Sequence, residues 1–133
     1  MSLASTITTL NAHFASGWGS TTPVAYDNVA FDYDLHPEFV TFSVSFGSQE
    51  QKSTGSPGHN FYRQKGIVSV RIFTPLDRGA KRGMQLADQI SALFRTKTIS
   101  GITFKSPSTT VVGQFDGSFQ VNIAISFFYD ETF

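Results

Sequence analysis

Three runs of alternating apolar and polar residues limit what this chain can become. From Phe39 onward, Val40, Phe42, Val44 and Phe46 point one way while Thr41, Ser43 and Ser45 point the other. Val68, Val70 and Ile72 alternate with Ser69 and Arg71, and Val121, Ile123, Ile125 and Phe127 alternate with Asn122, Ala124 and Ser126. A period of two is the period of a β-strand, so each run predicts a strand with one face against an apolar layer. The second strand spans residues 61–74, and residues 49–60 (QEQKSTGSPGHN) join it to the first as a hairpin with a long polar tip. Connections of about 12 residues without structure of their own are often functional or mobile. Gln51, Ser53, Gly55, Pro57 and His59 are therefore the candidate residues of a mobile docking loop.

Helical spacing appears twice. Leu3, Ile7, Leu10 and Phe14 recur at intervals of four, three and four behind Ser2, a natural N-cap, and Gly17-Trp18-Gly19 breaks the pattern. Ala80, Met84, Ala87, Ile90 and Leu93-Phe94 form the second stripe, predicting a helix over residues 78–94, with Gly79 and Gly83 weakening its start. Residues 21–27 predict a short strand that Pro23 confines to a sheet edge. Residues 102–104, 109–114 and 119–129 predict strands, the last two joined at Asp116-Gly117, a hairpin turn signal. At 133 residues the chain is one domain. The expected architecture is α+β: a mainly antiparallel β-sheet with a long-tipped hairpin and two helices packed on one face.

The amphipathic elements account for folding, and the charges bear on association. All ten lysines and arginines lie between Lys52 and Lys105, a window holding only Asp77 and Asp88, with Glu50 just ahead of it. Residues 1–49 hold Asp27, Asp32, Asp34 and Glu38, and the tail holds Asp116, Asp130 and Glu131, neither with any cation. If folding keeps these parts on separate faces, a basic face of one subunit meets an acidic face of the next, a head-to-tail contact that closes into a ring or grows into a tube. The alternative is that the strands neutralise one another within one fold. The candidates for a subunit or tube interface are Lys52, Arg63, Lys65, Arg71, Arg78, Lys81 and Arg82 on the basic side, and Asp27, Asp32, Asp34 and Glu38 on the acidic side. Charged residues make up only 15% of the chain, and fourteen are phenylalanine. Such a surface suits a chain that associates.

Catalytic and metal-binding patterns are missing. There is no cysteine, which removes disulfides, thiolate metal sites and cysteine nucleophiles. His13, His36 and His59 lack the spacing that places two ligands on one helical face. Asp27, Asp32 and Asp34 lack the glycine and closing glutamate of a calcium loop. Residues 79–83 (GAKRG) lack the order of a phosphate loop, and there is no GxSxG elbow. The chain is read as non-enzymatic and without a cofactor. The N-terminal run has no basic n-region or long apolar core, so it is not read as a signal peptide, and no apolar run reaches the roughly 18 residues needed to cross a membrane.

Residues 63–94, RQKGIVSVRIFTPLDRGAKRGMQLADQISALF, carry a strand ending in IFTPLDRG and then a helix with small residues early and ADQISALF late. Ahead of them, FVTFSVSFGSQEQKSTGSPGHNFYRQKG gives a strand, a polar glycine-rich tip and a return strand. This order resembles the tail terminator proteins of long, non-contractile-tailed bacteriophages and their prophage relatives, over most of the chain. The resemblance implies a structural virion protein that works as a homo-oligomeric, hexameric ring on the head-proximal end of the tail tube. Such a ring ends tube polymerisation and prepares head–tail joining. Its implied partners are other copies of itself, the tail tube protein and a head-completion or connector protein, with genomic DNA passing through the lumen and no membrane. Its place is the virion tail, assembled in the bacterial host cytoplasm. Two other readings remain: a different neck or tail-completion ring without length control, and a small non-enzymatic ligand-binding domain using Trp18, Tyr26, Tyr33 and Tyr62 near predicted loops.

Overall fold

A computed structural model describes residues 2–32, 37–55, 58–76, 79–95, 97–115 and 117–132. The elements run α1 (Leu3–Trp18), β1 (Val24–Tyr26), β2 (Phe39–Gln51), β3 (Phe61–Pro75), α2 (Lys81–Phe94), β4 (Thr98–Ile99), β5 (Ile102–Phe104), β6 (Ser108–Phe115) and β7 (Ser118–Thr132). Seven strands form one sheet in the order β1-β2-β3-β7-β5-β4, with β6 also paired to β7. All pairings are antiparallel except β1 with β2. The expected α+β architecture is thus present.

The alternating runs become rows across the three central strands. Val40, Ile72 and Val121 align, then Phe42, Val70 and Ile123, then Val44, Val68 and Ile125. Nearly all of these side chains are buried in one core with Leu10, Phe14 and Trp18 of α1 and Leu86, Ala87, Ile90 and Phe94 of α2. Both helices therefore pack on the same face, and the ring of Phe14 stacks 4.6 Å from that of Phe42. Burying a side chain of this size contributes about 1.5–3 kcal/mol, so this single apolar layer is the main source of stability.

Several boundaries differ from expectation, each for a local reason. Helix α1 begins as expected: the Ser2 hydroxyl accepts from Ser5 N (3.0 Å), and the Ser5 hydroxyl accepts from Ser2 N (2.9 Å). It then runs through Gly17 to Trp18, whose indole N–H donates to Thr22 Oγ1 (3.0 Å). Its buried stripe is Thr6, Leu10, Phe14 and Trp18, while Leu3 and Ile7 are exposed. Strand β2 continues past Phe46 to Gln51 across a bulge between Phe46 and Gln49, so the hairpin tip begins at Lys52. Helix α2 starts at Lys81 because Gly79, at φ +70°, holds a conformation that an α-helix excludes. The Asp116 half of the predicted turn lies outside the described residues, but the β6–β7 hairpin is formed and Gly117 has φ +79°.

Candidate assembly surface

The face of the sheet opposite the helices is built from the polar half of each alternation. Thr41, Arg71, Asn122 and Thr110 form one row across β2, β3, β7 and β6, and Ser43, Ser69, Ala124 and Ser108 form the next. One corner of this face is closed by aromatic packing, with Phe39 stacked on Phe73 at 4.7 Å and Phe31 5.3 Å from Phe39. Beside it, the Ser43 hydroxyl donates to Asp27 Oδ2 (2.8 Å). Asp27 and Arg71 line a shallow polar depression of about 370 Å³ there.

At the hairpin end of the same face lies a cavity of about 500 Å³. Its floor carries Ile67 and Phe128, and Lys52, Arg63, Lys65 and Lys105 contribute to its lining. The bulge bends β2 at this point, and Gly47 brings no side chain to fill the space. Lys105 follows β5 and is tied down by its backbone N–H, which donates to Ser126 O (2.9 Å). The Arg63 guanidinium lies 4.1 Å above the Phe128 ring and pairs with Asp130 through both carboxylate oxygens, at 2.9 and 3.1 Å. That hydrogen-bonded pairing holds the Asp130 carboxyl below the usual range. Glu50 bridges Lys52 (2.8 Å) and Lys65 (2.9 Å), and these hydrogen bonds, Lys52 first, lower its carboxyl to about 2. Lys105 pairs with none of the described acids, so the four cations here outnumber the two carboxylates, Glu50 and Asp130.

The candidate interface residues thus fall into separate groups. Lys52, Arg63 and Lys65 gather at the cavity, whereas Arg71 sits on the open sheet face next to Asp27. Arg82 is elsewhere, on α2, where Nε lies 3.2 and 3.1 Å from the two Glu38 oxygens and Nη2 lies 2.8 Å from Oε1. Lys81 is exposed on the same helix, and Asp32 is exposed ahead of β2. Asp34, Arg78 and Pro57 lie outside the described residues. Two of the pairings join a terminal acid to a central base within one subunit, Glu38 to Arg82 and Asp130 to Arg63.

In the hairpin tip, Gln51 closes β2 and donates to Ser53 O (2.8 Å), while Ser53 Oγ accepts from Phe61 N (2.8 Å). Gly55 has φ +87°, and His59 is exposed. Two of the aromatics considered for ligand binding pack inward instead: Trp18 is buried against Phe14, and Tyr26 meets Phe42 edge-on at 5.9 Å, while Tyr33 lies outside the described residues. Among the described residues no group of His, Cys, Asp or Glu is placed to hold a metal ion, and no helix is long and apolar enough to cross a membrane.

Two surface features were missed from the sequence. One is the Lys105–Ile67–Phe128 part of the cavity, whose only signal was Phe128, an aromatic at a polar-phase position of β7. The other is β6, which is bonded to β7 on one side and to no described strand on the other. From Ser108 to Gln114 it has no charged residue, and Val111 and Val112 are 50% and 46% exposed. A bulge between Val111 and Gly113 turns the strand but leaves both valines open.

A family profile described as phage tail terminator protein matches residues 6–127. One solved structure superposes with a TM-score of 0.66 over 92% of this chain and 94% of that chain, at 17% sequence identity, a likeness of fold. No curated protein matches the sequence.

Proposed function

The chain belongs to the phage tail terminator family, whose members are structural proteins of the virion tail, and from that premise we propose that it forms a hexameric ring capping the head-proximal end of the tail tube. In this reading the ring ends tube polymerisation, presents the surface for head–tail joining and carries out no catalysis. It assembles in the host cytoplasm from copies of itself on the tube protein, and a head-completion protein then docks on it.

The observation that supports self-association is the β6 edge. An uncharged, valine-bearing strand with a free row of N–H and C=O groups is a template for another strand, and soluble monomers normally protect such edges with charge, proline or a covering segment. Repeated contact of one edge with a different surface of the next copy is heterologous, and where its rotation closes it gives a ring.

Native mass spectrometry across a protein-concentration series tests this. The wild-type chain is expected to give a discrete hexamer, and Val112→Lys a monomer with an unchanged thermal midpoint. A hexamer indifferent to Val112→Lys removes β6 as the contact. A chain that stays monomeric and does not bind the ends of purified tubes overturns the ring.

A further inference from the structure

The cavity at the hairpin end of the open sheet face combines an apolar floor with a cationic rim, a chemistry unlike that of the uncharged β6 edge. We propose that it receives an acidic peptide segment from a partner protein, with a carboxylate held among Lys65, Lys105 and Lys52 and an adjoining apolar side chain resting on Ile67 and Phe128.

At about 500 Å³ the cavity falls within the range of built ligand sites and is far smaller than a surface that tracks a nucleic-acid duplex. Its walls stand mainly on β2, β3 and β7, with Lys52 just past the end of β2 and Lys105 after β5, so the sheet sets most of its geometry. The floor is apolar: Ile67 is 43% exposed between its register partners Ser45 and Ser126, whose short side chains leave it open. Phe128 beside it is held by the Arg63 guanidinium at 4.1 Å. An apolar floor inside a cationic rim matches a peptide that offers both kinds of group, and the phosphodiester backbone offers only one.

Glu50 and Asp130 already fix Lys52, Lys65 and Arg63 in place, which lowers the entropy lost when an anion binds. Two positive charges remain uncompensated by these carboxylates, and Lys105 carries one of them without a described acidic partner. A carboxylate entering here completes an alternating network of charges.

The partner is taken to be a neighbour in the assembled tail, and to that extent the proposal rests on the terminator reading. Peptide binding is measured on the free protein, so it stands or falls separately from tail length.

The test is an amide NMR titration with three probes. These are a blocked pentapeptide of aspartate and glutamate around one phenylalanine, the same peptide with asparagine and glutamine in place of the acids, and a short DNA duplex. The acidic peptide is expected to shift the amides of Lys65, Ile67, Lys105 and Phe128, and the neutral peptide is not. Lys105→Glu and Ile67→Asp are each expected to weaken binding about tenfold or more while leaving the remaining spectrum in place. Because both residues are exposed, Lys105→Gln and Ile67→Ser serve as milder variants should either fail to fold. Equal binding of duplex and peptide at these amides overturns the proposal in favour of a phosphate track. No shift at millimolar acidic peptide, or binding indifferent to the substitutions, overturns it outright.

Discussion

The ring of Phe127 lies across the backbone of Gly66 on the neighbouring strand, so that a Cβ at Gly66 would stand 2.3 Å from Phe127 Cζ and 2.7 Å from the Ser45 carbonyl oxygen. The two residues are register partners on β3 and β7. Between them they fill one position of the core, with glycine giving the space that phenylalanine takes.

Gly66→Ala is therefore expected to destabilise the fold by about 3 kcal/mol, the upper end of the overpacking range, because backbone blocks one side and a buried ring the other. Denaturant unfolding measures it. A loss below about 1 kcal/mol would mean that the Phe127 ring moves aside freely.

Arg82 and Glu38 join α2 to the segment ahead of β2 through a two-pronged bridge. Their side chains are 39% and 27% exposed, which keeps the coupling to about 1 kcal/mol or less. Arg82→Glu places two acids together and is expected to lower stability, and the exchange Glu38→Arg with Arg82→Glu is expected to recover part of the loss. A double-mutant cycle reads this directly. Reversing Arg82 alone thus perturbs the subunit as well as any surface it offers to a neighbour.

Tyr129 is buried, and its hydroxyl makes no hydrogen bond of ordinary geometry, although Thr6 is close enough to influence it. Burial pushes its phenol above the usual value. An unpaired buried hydroxyl costs free energy, so Tyr129→Phe is expected to leave stability unchanged or raise it by up to about 1 kcal/mol. A clear loss in thermal unfolding would show that the hydroxyl is satisfied.

Acid should act through Glu50. Its carboxyl is lowered from 4.5 to about 2, chiefly by hydrogen bonds from Lys52 and then Lys65. A depressed carboxyl stabilises the folded state above its ordinary pKa, and the contribution is lost as pH falls through the folded value. Wild type is thus expected to be slightly more stable than Glu50→Gln at neutral pH, with the gap closing between about pH 4.5 and about pH 2. The site is open to solvent, with the Glu50 side chain 41% exposed, so added salt should narrow the gap as well. A gap independent of pH would assign the effect of Glu50→Gln to packing.

The central strands were legible because burial on one face imposes a period of two on the sequence, as in Val121, Ile123, Ile125 and Phe127. The far end of β2 was not. Gln49, Glu50 and Gln51 are held by pairing with Gln64, Arg63 and Tyr62 across the hairpin, and backbone hydrogen bonds leave no hydropathy pattern. In α1 the N-cap was legible, but the buried stripe depended on what lay against the helix. Thr6 is buried, while Ile7 faces outward. The parallel pairing of β1 with β2, the two-residue β4 and the open edge of β6 all depend on neighbours that the chain order does not reveal. The basic candidates were legible as residues but not as a group. Register brought Lys65 to Phe128, a backbone hydrogen bond brought Lys105 to Ser126, and Arg82 went to the other side of the sheet with α2.

The central claim, that this chain ends tail-tube growth, is tested most directly by electron microscopy of particles assembled with and without it. Without the chain, tubes are expected to lose their single length and extend beyond it, and supplying the wild-type chain should restore it. Tails of one normal length in its absence would contradict the account.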